Sequence, residues 1–104
     1  MAITNTALTT TAANILVNSS GTTAVTTIHL ANYTNFPQTV NVYVVPSGST
    51  AGNNTVIYSN YSLTAYNTLI IYQEKFILGG VGDAIMANCS NVSAVTATVS
   101  SIGI

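Results

Sequence analysis

The chain has 104 residues, net charge −1, 48% hydrophobic residues and only 3% charged ones, against about a quarter charged in an ordinary domain. One Lys and no Arg cannot neutralise a row of phosphates, so nucleic acid is excluded as a partner. No apolar run approaches the roughly 18 residues of a membrane-spanning helix. A lone cysteine, Cys89, permits no internal disulfide and is expected as a buried small hydrophobe. Polarity comes from 17 Thr, 12 Asn and 10 Ser, a neutral surface with little colloidal repulsion that favours association.

The opening "MAITNTALTT" lacks the basic and apolar regions of a signal peptide, so none is expected. Residues 1–12 alternate Thr and Ala, as an edge strand or an extended arm lying on a neighbouring subunit would. From there the hydrophobic period is two. Strands are predicted near 13–17, 23–32, 38–45, 55–60, 61–64, 68–73, 75–78 with 83–88, and 94–102. In the second, Ala24, Thr26, Ile28 and Leu30 alternate with Val25, Thr27, His29 and Ala31. In the third, the inward set is Val40, Val42 and Val44; in the last it is Val95, Ala97 and Val99. Gly, Pro, Asn and Ser clusters separate the segments. The expectation is an all-β chain, residues 1–104, forming one antiparallel β-sandwich of about eight short strands with Greek-key or jelly-roll connections.

Chemistry-bearing residues are scarce. His29, Cys89 and Asp83 could be posed as a nucleophilic set, but no nucleophile elbow exists and His29 sits mid-strand. Glu74 and Asp83 are a poor glycosidase pair: Lys75 adjoins Glu74, and the chain has no Trp to hold sugar. No cluster of His, Cys, Asp and Glu has metal-ligand spacing, so neither metal nor cofactor is expected, nor an enzyme. "GGVGD" lacks the Lys–Ser/Thr of a phosphate loop. It reads as a hairpin in which Gly79, Gly80 and Gly82 adopt backbone angles closed to other residues, with Asp83 capping N–H groups across the turn. Six N-x-S/T triplets, at Asn18, Asn32, Asn53, Asn60, Asn88 and Asn91, follow from composition alone. Tyr58, Tyr61 and Tyr66, on a hairpin-like stretch, are candidates for a subunit interface, a sugar groove or plain cross-strand packing.

Every formally charged side chain, Glu74, Lys75 and Asp83, falls in "YQEKFILGGVGDAI". Glu74 and Lys75 border an apolar segment, either as solvated gatekeepers or as a device that sets register between subunits.

Over nearly its whole length the chain resembles a family of small virion structural proteins of tailed bacteriophages, especially those infecting cyanobacteria. The resemblance is carried by "TNTALTTTAANILVNSSGTTAVTTIHLAN", "VNVYVVPSGSTAGNNTVIY", "NTLIIYQEKFILGGVGDAIMA" and "VTATVSSIGI". It implies a protein made in the host cytoplasm and incorporated in the virion. The expected role is capsid decoration or cement, as a homo-oligomer such as a trimer on the major capsid protein or another virion protein. A tail, neck or fibre-base component is the alternative, and a carbohydrate-binding receptor module the second alternative.

Overall fold

The computed structural model describes residues 2–72 and 76–104, and among them there is no helix. Nine strands are described: β1 (Ala2–Ala7), β2 (Ala13–Val17), β3 (Thr23–Asn32), β4 (Gln38–Val45), β5 (Val56–Leu63), β6 (Thr68–Ile71), β7 (Phe76–Leu78), β8 (Ala84–Cys89) and β9 (Val95–Gly103). They form two antiparallel sheets. One runs β1-β9-β3-β6, with β7 also paired to β3; the other runs β2-β8-β4-β5.

The pairings are nested: β1 with β9, β2 with β8, β3 with β6 and β7, β4 with β5. The chain is thus one long hairpin rolled up until β9 meets β3 and β8 meets β4. With β6 and β7 counted as one interrupted strand, that order is the eight-stranded jelly roll. Between the sheets lies a single core including Leu8, Ile28, Leu30, Val40, Val42, Ile85, Val95 and Val99. Alternation is faithful along β9, where Val95, Ala97, Val99 and Ser101 are buried and Thr96, Thr98 and Ser100 half-buried.

Strict alternation fails in β3 and β4, in β3 at a bulge. In β3 the buried residues are Val25, then Ile28, Leu30 and Asn32, because the β3–β9 register slips between Val25 and Thr27. The extra residue, Thr26, turns its hydroxyl onto the carbonyl of Ser100 at 2.9 Å and moves the inward face from odd to even positions. The break falls where β3 exchanges β6 for β7 as its neighbour. In β4, Val44 is only half-buried and Val45 takes the buried place expected for it, although β4 keeps unbroken register with β8 from Val40 to Val45 and the extra residue at the Val42/Tyr43 slip, Ile57, lies on β5.

Three expected elements are corrected. Residues 56–63 form one strand, not two. The segment 76–78 belongs to the first sheet and 84–89 to the second, so "GGVGD" is an arch between sheets and not a hairpin. Only Gly82 in that arch has a positive φ, 96°; Gly79 and Gly80 do not share the property expected of them.

Candidate functional site

Each end of the sandwich is closed by loops converging on one buried asparagine. At the first end, loops 18–22, 46–55 and 79–83 meet. Asn18 is 1% exposed, and its Nδ2 donates to the carbonyls of Gly21, Leu78 and Gly80, each at 2.9 Å. Its Oδ1 accepts the Thr23 hydroxyl at 2.9 Å, while Asn18 N–H donates to the Asp83 carbonyl and Gly82 N–H to the Asn18 carbonyl. Asp83 bridges the other two loops: Oδ1 accepts Ser47 N–H and Oδ2 accepts Gly80 N–H, both at 2.9 Å. These two backbone donors, Ser47 first, hold the carboxyl below its ordinary pKa against the opposing effect of burial. The capping role expected of Asp83 is what its geometry performs.

At the opposite end, Asn32 is 2% exposed and its Nδ2 donates to the carbonyls of Phe36, Leu63 and Thr64. Its Oδ1 accepts Thr34 N–H at 3.0 Å. Tyr66 N–H reaches the Thr34 carbonyl and Asn32 N–H the Asn67 carbonyl, so loops 33–37 and 64–67 are tied together. The Tyr33 hydroxyl donates to the Ser93 carbonyl, which joins the loop before β9 to the same end. Three aromatic side chains project there: Tyr33, Phe36 and Tyr66, at 52%, 66% and 70% exposed. Tyr66 is held at φ 59°, a conformation that costs a side-chain-bearing residue about 1 kcal/mol or more. The sequence presents Asn18 and Asn32 only as members of N-x-S/T triplets and marks neither as a structural pin. Its available signal was an Asn at or just after a strand end, followed by turn-formers ("NSSG", "NYTNFP"). Burial of both side chains also withdraws Asn18 and Asn32 from any glycosylation.

The tyrosine group divides. Val40 and Val42 of β4 face Tyr61 and Tyr58 of β5, so an extra β5 residue lies between the two tyrosines. That bulge, with Asn60 at φ 51°, brings Tyr58 and Tyr61 to one face although they are three positions apart. Their rings meet edge to face, 5.7 Å between centroids and 80° between planes. Asn41 supports the bulge, accepting Asn60 N–H at 2.7 Å and donating to Asn88 Oδ1 at 2.9 Å. Tyr58 packs onto the core and Tyr61 is partly exposed. Tyr66 belongs to the aromatic end instead. Glu74 and Lys75 lie outside the described residues.

The outer face of the β1-β9-β3-β6 sheet carries Ile3, Ile70, Ile77 and Ile102, all exposed. Ile77, Ala24 and Ile102 form one row across β7, β3 and β9. Ile70, His29, Thr98 and Asn5 form another. Among the described residues of these strands none carries a formal charge. His29 is an exposed strand-face residue, and Cys89 is buried and free, its thiol directed at the Asn91 carbonyl at 2.8 Å. No group of three or more potential metal ligands occurs among the described residues. Comparison of the chain with protein-family models, curated proteins and solved structures returned no match.

Proposed function

We propose that this chain is a non-enzymatic structural protein of a tailed-bacteriophage virion, acting as a capsid decoration or cement subunit. The observation that carries the reading is the outer face of the β1-β9-β3-β6 sheet, uncharged among the described residues, with Ile3, Ile70, Ile77 and Ile102 exposed among Thr, Ser and Asn. Exposed isoleucines on a sheet face suit a subunit that docks against a shell. A near-neutral protein meets many copies of a partner without long-range repulsion, and symmetric repetition multiplies weak contacts. The jelly roll is compatible, since it serves viral capsid domains, though the same fold serves lectins and does not by itself decide function. The partners are copies of the chain and the major capsid protein. A tail, neck or fibre-base position is the alternative within this reading. The Glu74–Lys75 pair is proposed to set register against a neighbour, so Glu74→Gln and Lys75→Gln should weaken assembly while leaving the monomer folded. Quantitative mass spectrometry of purified virions tests the main reading. A copy number commensurate with the capsid lattice is expected; a virion devoid of the protein refutes it.

One observation favours carbohydrate binding as a second reading: the exposed Tyr33, Phe36 and Tyr66 at one end, with Tyr66 in a strained conformation. Rings that stand in water and cost backbone energy fit stacking on a sugar face. Glycan-array binding that Tyr66→Gly abolishes would establish it; an empty array removes it.

A further inference from the structure

The sandwich has open edges at β1 and at β6 with β7 in one sheet, and at β2 and β5 in the other. A strand edge exposes unpaired N–H and C=O groups, and folded proteins blunt such edges with bulges, short strands or charge. Here β2 slips register between Asn14 and Leu16. β5 slips twice and contains Asn60 at φ 51°. β6 has four residues and β7 three. β1 has none of these devices. Its six residues, AITNTA, pair with β9 in unbroken register from Ala2↔Ser101 to Ala7↔Thr96, without a charge or a proline.

The orientation of its free groups follows from one bond. Leu8 N–H donates to the Val95 carbonyl at 2.9 Å, so even-numbered residues turn their backbone groups toward β9 and odd-numbered residues turn theirs away. The open edge is therefore the N–H and C=O of Ile3, Asn5 and Ala7, whose side chains are all exposed on the outer face. Thr4, in contrast, turns inward and donates its hydroxyl to the Ile15 carbonyl of β2 at 3.1 Å.

We propose that β1 is a self-association edge: it pairs antiparallel with β1 of a second copy about a twofold axis through Asn5. Outer face must continue as outer face, so opposed residues have the same parity and the axis passes through a residue. Centring on Asn5 sets Asn5 against Asn5 and Ile3 against Ala7 in both directions. The outward N–H and C=O of Ile3, Asn5 and Ala7 then all find reciprocal partners within that trio, which centring on Thr4 does not give Ala7. No like charges are opposed. Asn5 Oδ1 already accepts the Thr98 hydroxyl at 2.8 Å, which leaves its amide N–H groups for the facing Asn5. The two sheets join edge to edge, so that the outer face of one continues into that of the other. The proposal does not rest on the virion reading, because the purified chain alone tests it.

Cysteine cross-linking reads the register. Facing residues of a hydrogen-bonded pair have Cα atoms about 5.5 Å apart, within disulfide reach. Under mild oxidation Asn5→Cys should link to a dimer. Ile3→Cys should not, since its counterpart lies four residues along the strand, about 13 Å away, whereas the Ile3→Cys, Ala7→Cys double variant should link. Asn5→Pro removes an outward N–H and the exposed side-chain bond to Thr98 but no N–H that pairs with β9, so it should keep the β spectrum and weaken the dimer by about tenfold or more in sedimentation equilibrium. A monomeric wild type, an oligomer of any size in which Asn5→Cys fails to link, or equal linking by Ile3→Cys overturns the proposal.

Discussion

Replacing Asn18 by alanine tests whether a single buried amide holds one end of the sandwich closed. The Nδ2 group has two hydrogens and three carbonyl acceptors, and the bond to Leu78 is fully buried while those to Gly21 and Gly80 are partly so. In Asn18→Ala the Leu78 carbonyl loses this partner where water does not reach, which costs about 1–3 kcal/mol. The partly buried bonds, rescued in part by solvent, add about 0.5–1.5 kcal/mol, giving roughly 2–4 kcal/mol in all. Against a total stability of about 5–15 kcal/mol this is a large fraction, and at about 4–8 °C per kcal/mol it lowers Tm by roughly 10–25 °C. Asn18→Asp should be at least as damaging, because it aims a carboxylate at three carbonyl oxygens. Urea denaturation followed by circular dichroism measures both, with the midpoint falling and the slope unchanged. Asn35→Ala, at an exposed position, is the control and should stay within about 0.5 kcal/mol. A loss below about 0.5 kcal/mol in Asn18→Ala would refute the reasoning and show that the backbone bonds between the loops suffice.

Asp83 gives a pH signature. Its folded pKa is depressed by the Ser47 and Gly80 N–H groups, so its contribution is present above the unfolded value of about 4 and is lost as pH falls through the folded value. Stability of the wild type minus that of Asp83→Asn should therefore shrink on acidification from pH 5; a difference independent of pH would contradict the assignment. Within the same arch, Gly82→Ala combines φ 96° with a Cβ only 2.7 Å from Ser47 Oγ, whereas Gly79→Ala meets nothing within 4 Å. Thermal melts should show a loss of about 1–3 kcal/mol for the first and near neutrality for the second, and equal effects would dismiss the steric account.

Period-two patterning made the all-β sandwich legible in the sequence, because alternation is a local property of each strand that one buried face imposes. Val95, Ala97 and Val99 are inward as the pattern says. The scarcity of charge and the burial of Cys89 were equally legible, since composition and residue type alone carry them. The boundaries of β2, β3 and β4 were likewise readable, each set off by Asn, Ser, Gly or Pro.

What only the tertiary structure decided is where one strand stops following its own period because its neighbour changes. Thr26 is an unremarkable Thr in an alternating run. It becomes a bulge only because β3 must pair β6 along one half and β7 along the other. Tyr58 and Tyr61 share a face only because β5 carries a residue more than β4 between them. "GGVGD" has the composition of a hairpin. It spans two sheets because β8 has β2 and β4 as partners, residues far away in the chain. Asn18 and Asn32 look like turn asparagines among many, and are set apart by loops that arrive from 30 to 60 positions downstream to surround them. Local sequence encodes the periodicity of a strand. Register breaks and buried polar pins depend on contacts between distant segments, which exist only once the sheets have closed on each other.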